Sequence, residues 1–367
     1  MKTIHLFASL GDLNKTAAGG GQTSARRLVR LLEGQGYKVD VVNRTIPPYT
    51  AESIGAKLHK AIGFVLDPFR YFFHLLFKKR KDAISMVLGY SGYLFPYYFL
   101  YVKIGKFLGY RTSIYIKGGF TEEKFEGFSE NLKRSYRNGL KKTDLALYEG
   151  EVGANLSVRE SPNTKAVWIP NYVENNFMPE QLPFKPKETM NLLYFGRIHP
   201  AKNVVMIVDV FDCLSKKFEN INLTIVGSGD SEYEKQLDSR LNASINKIRI
   251  RRIARIEHEK LKEILASHHF FVFPSVEGQE GHSNSLNEAM SYGLVPIVSD
   301  NNFLPSIVGD DRLVVHELKA ESYSGVIVSI IESGEYNDLS QNMYNRVKQH
   351  FTQRVVENEL KEIIENV

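Results

Sequence analysis

Residues 270–299 have the sequence FFVFPSVEGQEGHSNSLNEAMSYGLVPIVS. An apolar strand at residues 270–273, a polar loop with glycines, a helix at 284–292 and a second apolar strand at 296–299 follow one another in it. Fully apolar strands that alternate with helices are typical of a parallel sheet covered on both faces. The stretch therefore predicts an α/β fold.

The same alternation runs along the rest of the chain. Four prolines and little periodicity between Pro170 and Pro186 predict a hinge that divides it into two series. Further strands are predicted at residues 3–8, 38–42, 83–88, 112–116, 145–148, 166–169, 192–195, 222–226 and 247–250, and further helices at 23–33, 203–217, 231–246 and 258–266. A chain of 367 residues suits two domains of ~150 residues or more. We therefore predict two doubly wound, Rossmann-like domains that face a cleft.

Composition and charge narrow the class of protein. With 43% hydrophobic and 24% charged residues, the chain falls in the range of soluble globular proteins. Its single cysteine, Cys213, has no partner for an internal disulfide, and the first apolar run is too short for a signal peptide, so we expect a cytoplasmic protein. A net charge of +5 suits phosphate-bearing ligands or an anionic membrane surface. Zinc spacings and RNA-binding aromatic motifs are missing from the sequence, which argues against nucleic acid as a partner.

The segment Glu280–Met290 is the strongest candidate for a binding site. A loop containing Gly281 leads from a buried strand into a helix, whose unpaired N–H groups and positive dipole end favour phosphate. Glu288, one turn into the helix, is placed to accept hydrogen bonds from a ribose, and Glu280 is placed to reach a sugar ring. In the alternative interpretation, Ser283 is an ordinary N-cap and both glutamates are solvated.

A second candidate site follows the predicted strand at residues 192–195. Ligands of open α/β sheets bind beyond the carboxyl ends of strands, and Arg197 and Lys202 follow such an end. The planar fork of an arginine and the point charge of a lysine together suit the neutralisation of a diphosphate without a metal. In the alternative interpretation, both cations face solvent beside a turn.

These two segments, together with Leu223–Gly229 and Ile169–Val173, resemble the retaining family-4 glycosyltransferases of GT-B fold. The resemblance implies an enzyme that transfers a hexose or similar sugar from a nucleoside diphosphate, UDP- or GDP-linked, to a saccharide or lipid-linked acceptor. Cell-surface polysaccharide or glycolipid would be the product. It also implies that residues 1–172 bind the acceptor and residues 173–349 the donor. A C-terminal helix at about 350–367 is expected to pack back on the first domain.

The resemblance assigns roles to individual residues. In the family, a Gly-Arg followed five residues later by Lys binds the donor diphosphate, and the E-x7-E motif faces the donor sugar and the ribose. The backbone of the glycine-rich loop approaches the phosphate. The expected catalytic residues are Arg197, Lys202 and Glu280. The expected donor-binding residues are Gly20, Gly21, Gly196, Arg197, Lys202, Gly227, Ile253, Glu280, Gly281, His282, Ser283, Asn284, Ser285 and Glu288.

Two departures from the family pattern leave alternatives open. Many members carry a histidine near the reacting sugar carbon, where this chain has Lys117-Gly118-Gly119, and Ala254 stands where a glycine usually precedes the loop that contacts the base. One alternative is a sugar-nucleotide-binding subunit that has lost catalysis. Another is a GT-B epimerase or phosphorylase. Release of nucleoside diphosphate only in the presence of acceptor would distinguish a transferase from both.

Nicotinamide and metal cofactors are both disfavoured. The Gly19-Gly20-Gly21 turn resembles that of dinucleotide-binding folds, but Ser24 stands where the third glycine of G-x-G-x-x-G should fall, and Asp40 lies inside the second strand rather than at its end. Asp-x-Asp, the common way of holding a metal on a sugar nucleotide, does not occur in the sequence. We therefore expect no cofactor and no metal, with Arg197 and Lys202 neutralising the diphosphate.

The stretch Pro68–Lys81 mixes aromatic and basic residues. Phe69, Phe72, Phe73 and Leu76 fall on one helical stripe that ends in a basic cluster. Such a helix suits the surface of an anionic membrane, at the inner face of the cell membrane, but it is too short to cross a bilayer. The stretch is equally compatible with a helix that packs on the sheet of its own domain.

Overall fold

A computed structural model of the chain describes residues 2–14, 20–45, 54–78, 82–90, 92–276, 278 and 281–366. The chain forms two compact units. Unit 1 comprises Met1–Pro170 and Glu357–Val367, and unit 2 comprises Asn171–Val356. The division after Pro170 lies two residues before the predicted one at 172, and the C-terminal part of unit 1 begins at Glu357 instead of at about 350.

Unit 1 contains a parallel sheet whose described strands have the order β2-β1-β3-β4-β5-β6. Every residue of the first strand is buried, as expected for a parallel sheet with helices on both faces. The elements are β1 (Thr3–Ala8), α1 (Gly20–Gly34), β2 (Lys38–Asn43), α2 (Ile54–Phe77), β3 (Ile84–Tyr90), α3 (Phe95–Phe107), β4 (Arg111–Lys117), α4 (Glu122–Glu126), α5 (Glu130–Leu140), β5 (Leu145–Tyr148), α6 (Glu151–Glu160) and β6 (Lys165–Trp168).

Unit 2 contains a second parallel sheet, in the order β12-β11-β10-β7-β8-β9. Its elements are β7 (Met190–Phe195), α7 (Val204–Ser215), β8 (Ile221–Val226), α8 (Ser231–Ala243), β9 (Ile250–Ile253), α9 (His258–Ser267), β10 (Phe270–Phe273), α10 (Asn284–Ser291), β11 (Val295–Ser299), α11 (Leu304–Val308), β12 (Val314–Val315), α12 (Ala320–Ser333) and α13 (Tyr336–His350). Helix α14 (Gln353–Glu365) starts in unit 2 and continues into unit 1.

The strand order of unit 2 places a switch point between β7 and β10. From β7 the chain proceeds through α7 to β8 on one side of β7, whereas β10 pairs with β7 on the other side and continues to β11. Loops that leave two such neighbouring strands diverge, which opens a crevice beyond their carboxyl ends. The loops after β7 and β10 carry both of the candidate segments identified in the sequence.

The strand predicted at residues 247–250 is displaced in the structure. Lys247–Arg249 form a 3₁₀ turn, closed by a hydrogen bond from Arg249 N to Asn246 O (2.9 Å), and the strand comprises Ile250–Ile253. Its register, from Leu223 opposite Ile250 to Val226 opposite Ile253, aligns it with the second half of β8. The carboxyl end of β9 therefore lies level with those of β8 and β7.

Candidate functional site

A pocket of about 750 Å³ lies beyond the carboxyl ends of β7 and β8. Its volume falls within the range of ~300–1,000 Å³ that is common for small-molecule sites. Both strand ends and the loop from β9 into α9 form its walls. The lining residues are Phe195, Gly196, Arg197, Val226, Gly227, Ser228, Arg255, Ile256, Glu257, His258 and Leu261.

Two glycines allow the strand ends to approach closely at this pocket. Gly196 has φ +151° and Gly227 has φ +141°, conformations that residues with a side chain rarely adopt. A Cβ atom on Gly227 would lie 1.8 Å from the carbonyl oxygen of Gly196. Gly196 N donates to Val226 O (3.0 Å), and Gly227 N donates to Ile253 O (2.9 Å). The structure thus brings together the predicted residues Gly196, Gly227 and Ile253.

The two predicted cations occupy different parts of the β7 loop. Arg197 lies in the pocket wall, and its carbonyl oxygen accepts a hydrogen bond from Tyr194 Oη (2.8 Å). Lys202 ends a 3₁₀ turn, Pro200–Lys202, and is only 9% exposed; its Nζ lies 5.3 Å from the ring centroid of Phe273 at the end of β10. Both cations therefore lie in the loop that begins at the switch point.

The turn that carries Lys202 is tied to the loop after β10. Val276 N donates to Ala201 O (2.8 Å), and Ser275 Oγ donates to the same oxygen (3.3 Å). Asn203, directly after the turn, has φ +52°, a left-handed conformation that asparagine tolerates better than most residues. This geometry fixes the backbone of Lys202 relative to β10.

Helix α10 begins as the sequence predicts. Ser283 is its N-cap, with Oγ accepting from Leu286 N (3.4 Å) and lying 3.1 Å from Ser285 Oγ. Gly281 and Asn284 flank this cap. Glu280 lies outside the described residues, so its predicted role stays a prediction.

His282 has a buried side chain that supports the α10 loop. It is 3% exposed, and its Nε2 donates to Asn287 Oδ1 (3.0 Å). Asn287 Nδ2 donates to Asn171 O (3.0 Å), and Asn171 Nδ2 donates back to His282 O (2.7 Å). Three side chains thus form a closed ring of hydrogen bonds that holds the loop before α10 against the start of unit 2.

Glu288 contacts the pocket wall through a histidine. His258 Nε2, at the start of α9, donates to Glu288 Oε1 (3.1 Å). The Phe177 ring stacks on His258 with centroids 4.4 Å apart and planes 17° from parallel. Glu288 is therefore positioned by α9 and by the segment that enters unit 2, as well as by its own helix.

Gly20 and Gly21 belong to unit 1, whereas the other predicted site residues belong to unit 2. They form the first turn of α1. Tyr90 Oη, at the end of β3, donates to Gly21 O (3.0 Å), and a Cβ atom on Gly21 would lie 2.8 Å from that hydroxyl oxygen. A side chain at residue 21 would therefore displace the Tyr90 hydroxyl and its hydrogen bond to Gly21 O. Gly19 lies outside the described residues.

Sequence reasoning missed Arg255, Glu257, His258 and Phe177. The first three follow β9, and the rule that ligands bind beyond the carboxyl ends of strands identifies them once β9 is placed at Ile250–Ile253. Because the strand was predicted at residues 247–250, its carboxyl end was placed too early for the rule to identify them. Phe177 lies in the proline-rich segment, and its stacking on His258 depends on tertiary structure alone.

The family described as "Glycosyl transferases group 1" matches residues 177–363. Among curated proteins, the chain is 32% identical over 116 residues to the capsular polysaccharide biosynthesis glycosyltransferase CapH of Staphylococcus aureus, covering 31% of each chain. It is 24% identical over 195 residues to a phosphatidyl-myo-inositol mannosyltransferase of Mycobacterium tuberculosis, covering 50% of this chain and 49% of that one. The matches thus span a third to a half of these relatives' length.

Solved structures with this fold match over the whole chain. Sucrose-phosphate synthase of Thermosynechococcus elongatus matches with a TM-score of 0.70 at 17% identity, covering 100% of this chain and 99% of that one. Anabaena HepE in complex with UDP matches with a TM-score of 0.71 at 12% identity, covering 100% of both chains. At these identities the likeness concerns the fold, which is the predicted GT-B architecture of two Rossmann-like domains.

Proposed function

Because the chain belongs to the group 1 glycosyl transferases, we propose that it transfers a sugar from a nucleoside diphosphate to a hydroxyl group of an acceptor, with retention of anomeric configuration. The proposed donor is a UDP- or GDP-linked hexose or similar sugar. The proposed acceptor is a saccharide or a lipid-linked saccharide, and the product a cell-surface polysaccharide or glycolipid.

The observation that carries this proposal is the pocket beyond β7 and β8. Gly196 and Gly227 leave backbone without side chains at its floor, Arg197 supplies a positive charge in its wall, and Glu288 lies behind His258. These features suit a nucleoside diphosphate. The pocket has room for a base, Glu288 or His258 can form hydrogen bonds with the ribose hydroxyls, and cations can neutralise the two phosphates.

The charges in unit 2 support neutralisation of the diphosphate by protein groups. Arg197 and Lys202 lie in one loop, which is hydrogen-bonded to the loop after β10, and the eight-residue helix α10 follows that second loop. The positive end of a helix dipole and two preorganised cations stabilise an anion without a metal. On this proposal the transfer of the sugar needs no metal ion at the diphosphate.

The proposed reaction needs no protein base at the reacting carbon. As the bond from the sugar to the diphosphate breaks, negative charge develops on the leaving oxygen. That oxygen accepts the proton of the acceptor hydroxyl on the same face of the sugar, and the hydroxyl oxygen forms the new glycosidic bond. Arg197 and Lys202 stabilise the developing charge, so they act mainly on the transition state.

The names of the relatives support the choice of substrates. CapH is named for capsular polysaccharide, the mycobacterial relative for transfer of mannose to phosphatidyl-myo-inositol, and HepE was solved with UDP. Sugar nucleotides and cell-surface acceptors are therefore the first substrates to test on this chain.

The test combines ligand binding with turnover. A ligand at ~100 times its dissociation constant stabilises the native state by ~2.7 kcal/mol, so the cognate diphosphate among UDP, GDP and ADP should raise the melting temperature. Its sugar conjugate should then release nucleoside diphosphate only with acceptor present. Release without acceptor, or binding without any release, would contradict the transferase proposal in favour of hydrolysis or of an inactive binding subunit.

We also propose that unit 1 contacts an anionic membrane through α2. Asp67, Tyr71 and Leu75, spaced four residues apart, are buried against the unit. The other side of the helix exposes large apolar side chains, with Phe69 60% and Phe77 78% exposed. The apolar residues exposed on α2, which we call the α2 apolar face, are Ile62, Val65, Leu66, Phe69, Phe73, Leu76 and Phe77.

The α2 apolar face suits the surface of a membrane more than a crossing of one. A helix that lies in the interface buries one apolar face and keeps basic residues at the level of the head groups. Lys78 follows the helix, and Lys79–Lys81, outside the described residues, extend the basic run in the sequence. Among the described helices, none combines the length and hydropathy that a bilayer crossing requires.

A further inference from the structure

Two histidines and an aspartate meet inside unit 1, away from any role assigned above. His5 on β1 and Asp40 on β2 are register partners in neighbouring parallel strands, so their side chains emerge on the same face of the sheet. Helix α2 packs on this side and brings His74 to both of them. His5 is fully buried, whereas the side chains of Asp40 and His74 are 22% and 14% exposed.

The three donor atoms form a compact triangle. His5 Nδ1 lies 3.1 Å from His74 Nε2, His74 Nε2 lies 3.5 Å from Asp40 Oδ2, and His5 Nδ1 lies 3.7 Å from the same oxygen. Ligand atoms of a tetrahedral ion with bonds of ~2.0–2.2 Å are ~3.3–3.6 Å apart. The three distances, 3.1, 3.5 and 3.7 Å, lie within ~0.2 Å of this range, so the triangle approximates one face of such a tetrahedron.

We propose that His5, Asp40 and His74 bind a divalent transition-metal ion, best suited to Zn²⁺, with water as the fourth ligand. Two imidazole nitrogens and one carboxylate oxygen are donors that Zn²⁺ commonly takes, and they discriminate against Mg²⁺ and Ca²⁺, which prefer oxygen. The partial exposure of Asp40 and His74 leaves a path for the ion and for the water.

Hydrogen bonding explains the contact between His5 and His74 but not the position of Asp40 beside both rings. The contact between His5 and His74 has an ordinary hydrogen-bond distance, but Asp40 Oδ2 lies 3.5 and 3.7 Å from the two ring nitrogens, beyond the 2.7–3.2 Å of a normal N–H···O bond. Lys78 Nζ lies 3.0 Å from Asp40 Oδ2, and its side chain is 54% exposed. A lysine so exposed can leave the carboxylate when an ion arrives.

The surroundings hold the histidines in place independently of any ion. The Tyr110 ring meets the His5 ring edge-on with centroids 5.6 Å apart, and Tyr110 Oη donates to Leu75 O (2.6 Å), next to His74. The rings of His5 and His74 are themselves nearly perpendicular, at 82°. A bound ion would join α2 directly to β1 and β2 and so fix the helix that carries the α2 apolar face.

Co²⁺ is the probe for the first experiment, because its visible absorption reports tetrahedral coordination. Full-length protein is stripped with a chelator and titrated with CoCl₂, and Zn²⁺ is then added as competitor. We expect one Co²⁺ for each chain, with a tetrahedral spectrum that Zn²⁺ abolishes. A wild-type protein that gives no such spectrum would overturn the proposal.

Variants assign the binding to these residues. His74→Gln and the near-isosteric Asp40→Asn should each weaken Co²⁺ binding at least ~10-fold, whereas Lys78→Gln should strengthen it by removing a competing cation. His316→Gln is the control, because His316 pairs with Asp300 (3.0 Å) at an exposed position in unit 2. Circular dichroism verifies that each variant is folded. Unchanged Co²⁺ affinity in folded His74→Gln and Asp40→Asn would refute the assignment.

Discussion

His258 Nε2 lies 3.1 Å from Glu288 Oε1, a contact that joins the start of α9 to the second turn of α10 beside the pocket. The Glu288 side chain is 14% exposed and that of His258 is 48% exposed, and His258, not Glu288, lines the pocket. Residues 30 positions apart in sequence thus form one polar group at the proposed ribose site.

Removal of Glu288 should weaken donor binding more than it slows the reaction. Glu288→Ala is expected to raise the donor KM ~10-fold with a small change in kcat, because ribose contacts stabilise ground state and transition state alike. Steady-state kinetics with varied donor measures this, with the exposed α9 residue Glu263→Ala as control. In a double-mutant cycle with His258→Ala the two losses should not add, since the residues act as a pair.

Removal of Glu280 should have the opposite kinetic signature. We expect Glu280, by the family resemblance, to face the donor sugar, so Glu280→Ala should mainly lower kcat. The same assay compares it with Glu288→Ala. If Glu280→Ala raised KM and Glu288→Ala lowered kcat, the two roles would have to be exchanged.

Loss of either cation in the β7 loop should lower kcat. Arg197→Ala and Lys202→Ala are each expected to cost ~10²–10³-fold, as is typical when one preorganised group that stabilises a developing anion is removed. Lys235→Ala, an exposed lysine of α8, is the matched control. Wild-type turnover should also persist in EDTA. Normal turnover in both variants, or activity lost to EDTA and regained with Mg²⁺ or Mn²⁺, would show that other groups neutralise the diphosphate.

A side chain at residue 227 should disrupt the floor of the pocket. Gly227→Ala places a Cβ atom 1.8 Å from Gly196 O in a backbone with φ +141°, so β7 and β8 have to separate. We expect a lower melting temperature and loss of diphosphate binding in a thermal-shift assay. Gly325→Ala in α12 is the control, because nothing lies within 4 Å of the added atom; it should stabilise by ~0.5–1 kcal/mol. Equal melting temperatures and equal diphosphate binding in the two variants would show that β7 and β8 tolerate a side chain at residue 227.

The α2 apolar face should mediate binding to anionic vesicles. Phe69→Ser combined with Phe73→Ser should reduce co-sedimentation, and replacement of the four basic residues at 78–81 by Gln should weaken it by ~1 kcal/mol for each residue near the surface. Phe184→Ser, a residue of unit 2 that is 89% exposed, is the control. Equal binding of the wild type to neutral and anionic vesicles would exclude this interaction.

Mild acid should destabilise unit 2 through two buried histidines. Burial lowers the pKa of His268 and of His269 to about 4 from the usual 6.5. Their bonds need neutral rings: His268 Nδ1 donates to Ile264 O (2.6 Å) while Nε2 accepts from Thr224 Oγ1 (2.8 Å), and His269 Nδ1 accepts from Asn191 N (3.1 Å). Protonation breaks the accepting bonds.

The sign of the pH dependence follows from linkage. Between pH 6.5 and about 4 the unfolded chain binds more protons than the folded one, so stability is complete above pH 6.5 and declines as the pH falls through this window, by ~1–3 kcal/mol for each histidine. Melting temperatures at a series of pH values measure it. His268→Gln should reduce the loss of melting temperature between pH 6.5 and about 4. His316→Gln, at an exposed position in unit 2, is the control. If the pH dependence of His268→Gln equalled that of the wild type, His268 would not be the group responsible.

The sequence by itself determined the α/β class, the two series of strands, and most strands to within two residues, because apolar strands and capped helices are specified by local patterns. It also located Arg197, which follows a recognisable strand end, whereas Gly196 and Gly227 were expected from the family resemblance. Ser283 as the N-cap of α10 is another local feature, readable from one polar residue before an apolar helical pattern.

The contacts that depend on strand pairing and helix packing were decided by the tertiary structure alone. The register of β9 against β8 moved its carboxyl end to Ile253 and brought His258 to the pocket, where Phe177 and Glu288 hold it. Pairing of β1 with β2 and packing of α2 brought His74 to His5 and Asp40, residues that no local motif connects. Contacts between residues far apart in sequence depend on strand order and helix packing, and a local pattern carries no information about either.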